Sequence, residues 1–293
     1  MELAALQAFL TAAEVGSFSG AAEKLFLSQP AVSKRIKGLE EELEVRLFDR
    51  IGRRVHLTPA GRLLLPKARE LVLQAQDLKR LAGNQRHGVR GSLILGTSHH
   101  IGLHRLPPVL KTYRADWPEV ELDLRFMDSE AACRAVEKGE LELAVVTLPP
   151  RPAEETPLEY RPCWHDPLAF VAAPEHPLAE EDHVSLERLV QYPAVLPGAA
   201  TYTRAVLSRA LAEHDLKLII GMSTNYLETL KMLVEINLGW SLLPRTLLND
   251  GSLRELKVPL HLSRSLGTVV HRDRTLSNAA RLLMEALPSP DPE

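Results

Sequence analysis

The sequence predicts a chain of two parts: an all-α winged helix-turn-helix head with a long linker helix, and an α/β body with doubly wound parallel sheets. Three observations support this division. Apolar residues recur at helical spacing up to about residue 85, a polar segment with two glycines follows at 85–91, and short apolar strands then alternate with helices. The 293 residues, 45% of them hydrophobic, suffice for about two domains with their own cores.

The head contains two short helices joined by a tight turn. The first carries an apolar stripe at positions i, i+3, i+4 and i+7, namely Phe18, Ala21, Ala22 and Leu25. The second begins at Ser28, whose hydroxyl can cap the first turn, and Pro30 suits a position that needs no N–H donor. The buried face of this second helix is predicted at Val32, Ile36, Leu39 and Leu43.

The outward side of the second helix is polar and basic near its start. Amides, hydroxyls and cations at such a position can reach base edges and phosphates in a DNA major groove. An ordinary helical hairpin with a solvated charged face is the alternative, but it does not require a basic turn directly afterwards. We therefore expect DNA contacts from Ser28, Gln29, Pro30, Ser33, Lys34, Arg35 and Lys37.

A short basic turn follows this helix and predicts a wing. The turn contains Gly52, and residues 55–57 then alternate in polarity as a strand does. Arginines in such a turn suit the sugar-phosphate backbone of DNA. We expect backbone contacts from Arg50, Arg53 and Arg54.

A long helix is predicted from Pro59 into the eighties, with Thr58 as its N-cap. Its apolar residues are three or four positions apart, close to a heptad pattern: Ala60, Leu64, Ala68, Leu71, Ala75, Leu78 and Ala82. A stripe this narrow favours a homodimer through the helix over packing on its own domain, and a dimer presents two heads to a pseudo-palindromic site. Pro66 removes one backbone hydrogen bond and predicts a kink.

These motifs resemble the LysR-type transcriptional regulators, and the resemblance extends over essentially the whole chain. The residues that carry it are Ala21, Ala22, residues 27–33, Ile36, Leu39, Glu40, Leu47, Phe48, Arg50 and residues 57–61. One departure is Glu44, where the family usually has a glycine that ends the recognition helix. A glutamate adopts the left-handed C-cap conformation less readily than glycine does.

The resemblance implies a regulator of transcription that binds double-stranded DNA as a homo-oligomer. It implies a homodimer through the linker helix, a homotetramer that binds two pairs of half-sites, and RNA polymerase as a further partner. It also implies that the body folds as two periplasmic-binding-protein-like subdomains that enclose a small-molecule effector. Effector binding would then change the spacing of the heads and the bend in the DNA.

In the body, strands are expected at 92–96, 120–126 and 141–146, with helices at 103–115 and 129–138. A second α/β unit is expected after Pro162, with strands at 168–173 and 240–243 and helices near 201–214 and 226–236. The strand near 268–271 and the helix at 277–287 are expected to return to the first unit.

These elements give a set of predicted domain boundaries. Residues 1–58 form the DNA-binding domain, 59–87 the linker helix, 88–91 a hinge and 92–293 the effector-binding domain. Within the last domain, subdomain I takes about 92–162 and 266–293, and subdomain II takes about 163–265.

An effector site is predicted where the strands of the body end. Open α/β sheets bind ligands beyond the carboxyl ends of their strands, where helix N-termini favour anions. The first such loop is Thr97, Ser98, His99, His100 and Ile101, and the family's effector site matches it; its hydroxyls and imidazoles suit a small organic acid, and a capping loop with exposed histidines is the alternative. The same topology adds Ser129, Thr147, Gly198, Tyr202, Thr203 and Asn225.

The histidines of this loop permit a second interpretation. His100 and His104 are four residues apart and share a face if a helix begins there, so together with His99 they offer ligands for a transition metal. The protein would then be a metal-responsive regulator. No thiol or carboxylate lies nearby in sequence to complete such a site, and an effector explains the loop equally well.

Enzymes and secreted binding proteins are not favoured. The sequence contains no GxSxG, no GxGxxG after a strand, no P-loop and no HExxH motif, so we predict neither catalysis nor a cofactor. A secreted solute-binding protein would share the body but not the basic head. The missing signal sequence argues against it as well.

Charge is divided unevenly between the two parts of the chain. Residues 1–90 contain 15 Lys and Arg against 10 Asp and Glu, whereas the remainder contains 20 against 28, so the net charge of −3 conceals a basic head on an acidic body. A basic head favours binding to a polyanion. With no apolar run of membrane-spanning length, we predict a cytoplasmic protein, in which Cys133 is part of a helix core rather than a redox sensor.

Overall fold

A computed structural model describes residues 1–51, 54–85 and 89–289, and for Arg50 and Ile51 it describes the backbone alone. The chain divides into two compact units, Met1–Arg86 and His87–Glu293. The first unit contains the winged helix-turn-helix head and the long helix, and the second contains the α/β body. The predicted fold class is therefore confirmed.

The head follows the predicted order of elements. The helices are α1 (Leu3–Val15), α2 (Phe18–Lys24), α3 (Gln29–Leu43) and α4 (Pro59–Asn84), with strands β1 (Phe48–Ile51) and β2 (Arg54–Leu57) before α4. The two strands pair antiparallel as the wing, from Phe48 opposite Leu57 to Ile51 opposite Arg54. Apolar side chains of all these elements share one core, in which Phe48 contacts the rings of Phe9 and Phe18 edge-on.

Ser28 and Thr58 are the N-caps of two helices of the head, as the sequence predicts. Ser28 caps α3 by accepting a hydrogen bond from the Ala31 N–H at 3.4 Å. Thr58 caps α4 by accepting from the Gly61 N–H at 2.9 Å, and it donates to the Arg46 carbonyl at 2.6 Å. Gly61 is required there, because a Cβ atom would lie 2.2 Å from the Leu47 carbonyl oxygen.

Helix α3, the predicted recognition helix, ends in a left-handed residue that is not glycine. Glu44 has φ of 55° and its N–H donates to the carbonyls of Glu40 and Glu41, which ends the helix as a glycine cap does. The helix therefore ends where the family's glycine pattern places it. The glutamate adopts a backbone conformation that is unfavourable for a residue with a Cβ atom.

The linker helix α4 spans 26 residues and continues through Pro66. Its first half packs on the head, where Ala68 and Val72 are buried. On the other side of Val72 and toward the end of the helix, Leu71, Leu78 and Leu81 expose 42%, 68% and 50% of their surface in the single chain. The predicted apolar stripe is thus covered at one end and uncovered at the other.

The body begins with a parallel βαβ arrangement. Strands β3 (Gly91–Thr97), β4 (Val120–Phe126) and β5 (Leu143–Thr147) are parallel, with β3 in the middle, and helix α7 (Ser129–Glu137) precedes β5. The single helix predicted at 103–115 is wrong: the segment forms α5 (His99–His104) and α6 (Leu106–Asp116). Pro107 and Pro108 lack an N–H, so they fit the first turn of a new helix and cannot continue the old one.

The second part of the body contains long antiparallel strands. The remaining elements of the body, in chain order, are β6 (Leu158–Ala172), α8 (Leu186–Leu189), β7 (Ala194–Leu196), α9 (Tyr202–Ala212), β8 (Ile220–Ser223), α10 (Leu227–Glu235), β9 (Ser241–Pro244), β10 (Arg254–Glu255), β11 (Leu262–His271) and α11 (Asn278–Ala286). Strand β11 returns to the first part as predicted, but it pairs antiparallel with both β5 and β6. The sheet order is β10-β6-β11-β5-β3-β4, with β9 paired to β6.

The sheet is therefore mixed, because antiparallel strands extend the predicted parallel arrangement. The strand predicted at 168–173 is the end of the 15-residue strand β6, which runs through Pro162 and Pro167. The register shifts between Leu266 and Gly267, opposite Pro162, and this bulge accommodates a residue that has no N–H to donate. Two strands thus pass from one lobe of the body to the other.

Separate apolar clusters lie at the two ends of these crossing strands. One cluster joins β3, β5, α6 and α11, with Tyr113 donating a hydrogen bond to the Ala279 carbonyl at 2.8 Å. The other surrounds Trp240 and Phe170 in the second lobe. The space between the two lobes is a cleft at the carboxyl ends of β3, β4 and β5.

Among the residues that the structure describes, no helix is both long and apolar enough to cross a membrane.

Candidate functional site

The first candidate site is the exposed side of the recognition helix α3. Val32, Ile36 and Leu39 are buried against the head. On the opposite side, Ser33 and Arg35 are half-buried, and the exposed residues are Ser28, Gln29, Pro30, Lys34 and Lys37. The predicted DNA-contact residues thus lie together at the start and outer side of one helix.

The wing adds a further basic residue to the head. Arg54 begins β2 and is exposed, whereas Val55 beside it is buried. Arg53 and the side chain of Arg50, the other two predicted wing contacts, lie outside the described residues. The head therefore presents cations on α3 and on the wing, both of which suit phosphate groups.

The second candidate site is the cleft between the two lobes of the body. It encloses a cavity of about 60 Å³ at the ends of strands β3 and β5. Several predicted effector residues line it: Ser98, His99, His100, Ser129, Thr147, Thr203 and Asn225. Hydrogen bonds order the polar wall, since the Ser129 hydroxyl accepts from the Thr147 N–H at 3.1 Å.

Four predicted effector residues do not line this cavity. The Thr97 side chain is buried and donates to the Val145 carbonyl at 2.8 Å, which ties β3 to β5. Ile101 is part of the apolar core. Gly198 donates its N–H to the Asn225 side chain at 3.0 Å, and Tyr202 packs against the cluster around Cys133. Of these four residues, Gly198 is bonded to a residue that lines the cavity, Asn225.

A buried charge network that sequence reasoning missed lies against the cavity. Arg264 lines the cavity with 6% of its side chain exposed, and its Nε donates to Asp166 at 2.8 Å while its Nη1 donates to Thr203 at 2.9 Å. Arg105 donates to the other oxygen of the fully buried Asp166 at 3.0 Å. Arg264 and Asp166 are direct neighbours across β6 and β11.

No local pattern in the sequence points to Arg264. Residues 262–266 are Leu-Ser-Arg-Ser-Leu, and three consecutive polar residues break the period-2 alternation that would have extended the predicted strand at 268–271 to include it. The pairing with Asp166 depends on a register between strands about 100 residues apart, and the local pattern does not encode it. The sequence therefore offers a signal neither for the position of Arg264 nor for its partner.

Polar groups from both lobes meet across the cleft. The Asn225 amide donates to Asp128 at 2.7 Å, and the Tyr202 N–H donates to Glu130 at 2.5 Å. Asp128 follows β4, so the same strand-end argument that selects Ser129 would also have selected it. Both carboxylates line the cavity but accept hydrogen bonds from the opposite lobe.

The three predicted histidines separate into two environments. His99 stacks on Phe126 at 5.0 Å between ring centroids and meets Tyr226 edge-on at 4.9 Å. His100 is buried, with its ring 4.8 Å from that of His104. Burial, together with the nearby Arg264 cation, lowers the pKa of His100 to about 4, so its imidazole is neutral at physiological pH.

The winged head and the ligand cleft together define a DNA-binding regulator with a small-molecule binding domain. The family model described as "Bacterial regulatory helix-turn-helix protein, lysR family" matches residues 3–62. The model described as "LysR substrate binding domain" matches residues 86–289. The chain belongs to the LysR family of transcriptional regulators, which confirms the resemblance.

Individual proteins agree with this assignment. The HTH-type transcriptional regulator YeiE of Escherichia coli K12 is 33% identical over 285 residues, which cover 96% of this chain and 94% of YeiE. An HTH-type transcriptional regulator of Azotobacter vinelandii is 59% identical over 108 residues, 37% of this chain and 75% of that protein. An OxyR variant from Pseudomonas aeruginosa shares the fold, with a TM-score of 0.71, 24% identity and coverage of 98% of this chain and 94% of the other.

Proposed function

We propose that this regulator binds a pseudo-palindromic DNA site through α3 and the wing, and that a small anion in the cleft modulates DNA binding or bending. The observation that carries the proposal is the placement of Arg264 at the cavity wall. Its Nε and Nη1 are bonded to Asp166 and Thr203, and among the described residues no hydrogen bond occupies Nη2. A guanidinium with one free edge at the wall of a cleft is suited to an anion.

The size of the cavity restricts the effector further. On a comparable measure, one water molecule needs at least about 10–15 Å³. A cavity of about 60 Å³ therefore favours a ligand of a few non-hydrogen atoms over an aromatic acid. Within the class proposed from the sequence, a small organic acid, we propose the smallest carboxylates, and inorganic oxyanions of similar size, as effectors.

Thermal shift of the full chain tests the effector. Acetate, oxalate, sulfate and phosphate are screened, with benzoate as the oversized control, because a ligand that binds only the folded state raises the melting temperature. We expect a shift with one of the small anions that is lost in Ser98→Ala and retained in Ser208→Ala, an exposed serine outside the cleft. A shift with benzoate alone, or one that persists in Ser98→Ala, would contradict the assignment.

DNA binding is tested with a duplex that the wild-type chain selects from a random pool, compared with an unrelated duplex of equal length. We expect Gln29→Ala to reduce the ratio of specific to non-specific affinity, because the proposal assigns a base-edge contact to Gln29, which is exposed at the start of α3. Arg54→Ala should weaken binding to both duplexes and reduce the slope of log affinity against log salt by about 1. If Gln29→Ala leaves the ratio of specific to non-specific affinity unchanged, the proposed placement of α3 against the bases is wrong.

Further features follow from membership of the family and are part of the proposal. The protein is a homodimer through the uncovered end of α4 and a tetramer on DNA, acts in the cytoplasm, contacts RNA polymerase, and has no enzymatic activity. Its functional domains follow the predicted boundaries at 58, 87 and 91, with subdomain I at about 92–162 and 266–293. The exposed leucines of α4 support the dimer, since apolar side chains at helical spacing favour a partner helix.

A further inference from the structure

Three potential metal ligands meet across the cleft, beside the cavity. Glu228, in the first turn of α10, belongs to the second lobe, whereas His100 and His104 are on α5 in the first. The Oε1 atom of Glu228 is 3.2 Å from Nε2 of His104 and 4.0 Å from Nδ1 of His100. One ligand atom from each of the three side chains lies within 4.8 Å of the others.

A hydrogen bond between His104 and Glu228 accounts for only part of this arrangement. His100 is 4% exposed, its Nε2 faces the Thr246 hydroxyl at 3.4 Å, and its Nδ1 is buried with no hydrogen-bond partner in the described part of the chain. A buried imidazole nitrogen without a partner is costly. A metal ion between the three side chains would occupy that nitrogen.

We propose that His100, His104 and Glu228 form a binding site for a divalent transition metal of the zinc class. Two histidines and a glutamate are an established ligand set for zinc, and they leave one coordination position for water or an anion. Ligands of a tetrahedral zinc ion are about 3.4 Å apart, because each is about 2.1 Å from the metal. The observed separations need only side-chain adjustment to reach that geometry.

The proposed site differs from the cluster predicted from the sequence. His99 is replaced by Glu228, which lies more than 120 positions away in the chain and supplies the carboxylate that the local sequence lacks. Because His100 also lines the cavity, the metal would lie beside the effector site and join the two lobes. His104 and Glu228 are 34% and 40% exposed, so an ion can enter from solvent.

The test uses the full chain without an affinity tag and stripped of metal. Zinc is titrated in competition with a chromophoric chelator, and cobalt is followed by its visible absorption. We expect one zinc ion per chain. His104→Gln and Glu228→Gln should each weaken zinc binding by more than about 100-fold, since changes around the ligands alone cost about 10–100-fold.

The matched control is His214→Gln, which removes an exposed histidine at the end of α9 and should leave zinc affinity unchanged. The two ligand variants alter partly exposed side chains, and their melting temperatures without metal report whether they fold. Zinc should raise the melting temperature of the wild type and of His214→Gln but not of the ligand variants.

Two results would overturn the proposal: no stoichiometric zinc binding to the wild type, or equal zinc affinity in the wild type and both ligand variants. The measurement involves neither DNA nor an organic effector. Failure of the metal site therefore leaves the proposed regulatory function standing, and failure of the anion screen leaves the metal site standing.

Discussion

At the scale of single residues, the buried ion pair between Arg264 and Asp166 matters for the stability of the body as well as for the cleft, because Arg264 also lines the cavity. The Asp166 side chain is fully buried and bonded by Arg264 and Arg105. Removal of Arg264 leaves a buried carboxylate with one partner, and breaking a buried pair in this way is strongly destabilising. We expect Arg264→Met to lower the free energy of unfolding by about 3 kcal/mol.

Urea denaturation followed by tryptophan fluorescence measures this loss, because Trp117, Trp164 and Trp240 all lie in the body. The control is Arg125→Met, which breaks the pair between Arg125 and Asp123. Both of those side chains are nearly half exposed, so the change should stay within about 0.5 kcal/mol. Equal losses of unfolding free energy in Arg264→Met and Arg125→Met would contradict the argument that burial makes the Arg264–Asp166 pair costly to break.

The chemistry of Cys133 is also set by its surroundings. Its thiol is buried beside Tyr202, and burial raises the pKa of Cys133 to about 11. Relative to an ordinary thiol with a pKa of 9.0, the reactive thiolate is about 100-fold rarer at neutral pH. Burial also raises the pKa of Cys163, the other free cysteine. This environment agrees with the predicted core role.

We therefore expect neither cysteine to react with a maleimide in the native chain at neutral pH. Intact-mass spectrometry should show no adduct before urea is added and two adducts afterwards. Labelling should accelerate as the pH rises toward 11, because the thiolate population grows in that direction. Rapid labelling of Cys133 in the folded chain at neutral pH would instead indicate a reactive thiol.

At the scale of elements, the end of the recognition helix carries a local strain. Glu44 is exposed and held at φ of 55°, where a side chain with a Cβ atom costs about 1–2 kcal/mol. Glycine adopts this conformation without that cost. Glu44→Gly should therefore stabilise the head by about 1 kcal/mol.

The matched control is Glu41→Gly, three residues earlier and inside α3. There glycine loses helix propensity, so the same change should destabilise the head by about 1 kcal/mol. The head contains no tryptophan, and hydrogen exchange of α3 peptides from the full chain is the suitable measurement. Two effects of the same sign would refute the backbone argument.

At the scale of the whole molecule, the exposed end of α4 determines the expected assembly. Leu78 exposes 68% of its surface and lies one heptad after Leu71 on the same side of the helix. A lysine there would bury a charge in a dimer interface but remain solvated in a monomer. Leu78→Lys should convert dimers or larger oligomers to monomers, as measured by light scattering after size exclusion.

The control is Gly83→Lys, which adds the same charge about 140° farther around the helix. Gly83 is exposed, and a Cβ atom added there would meet open space within the described part of the chain, so a lysine fits without a steric clash. We expect this variant to keep the oligomeric state of the wild type. An oligomer that tolerates Leu78→Lys would place the interface elsewhere.

Local sequence patterns sufficed for the head and for most elements of the body. The caps at Ser28 and Thr58, the buried face of α3 and the strand at 120–126 depend on residues a few positions apart, so spacing alone reveals them. The α5–α6 break is also local, because the proline pair encodes it, and it was therefore predictable from the sequence. The strand ends located the cleft because parallel strands point their carboxyl ends to one edge.

The sequence by itself determined the class of protein, the helix-turn-helix of the head and seven of the residues that line the cavity. Only the tertiary structure decided that β6 and β11 are continuous strands through both lobes, that Arg264 pairs with Asp166, and that Glu228 joins His100 and His104. The physical reason is distance along the chain. Helical and strand periods are encoded by neighbouring residues, whereas register, burial and charge pairing depend on contacts between segments that fold together from more than 90 positions apart.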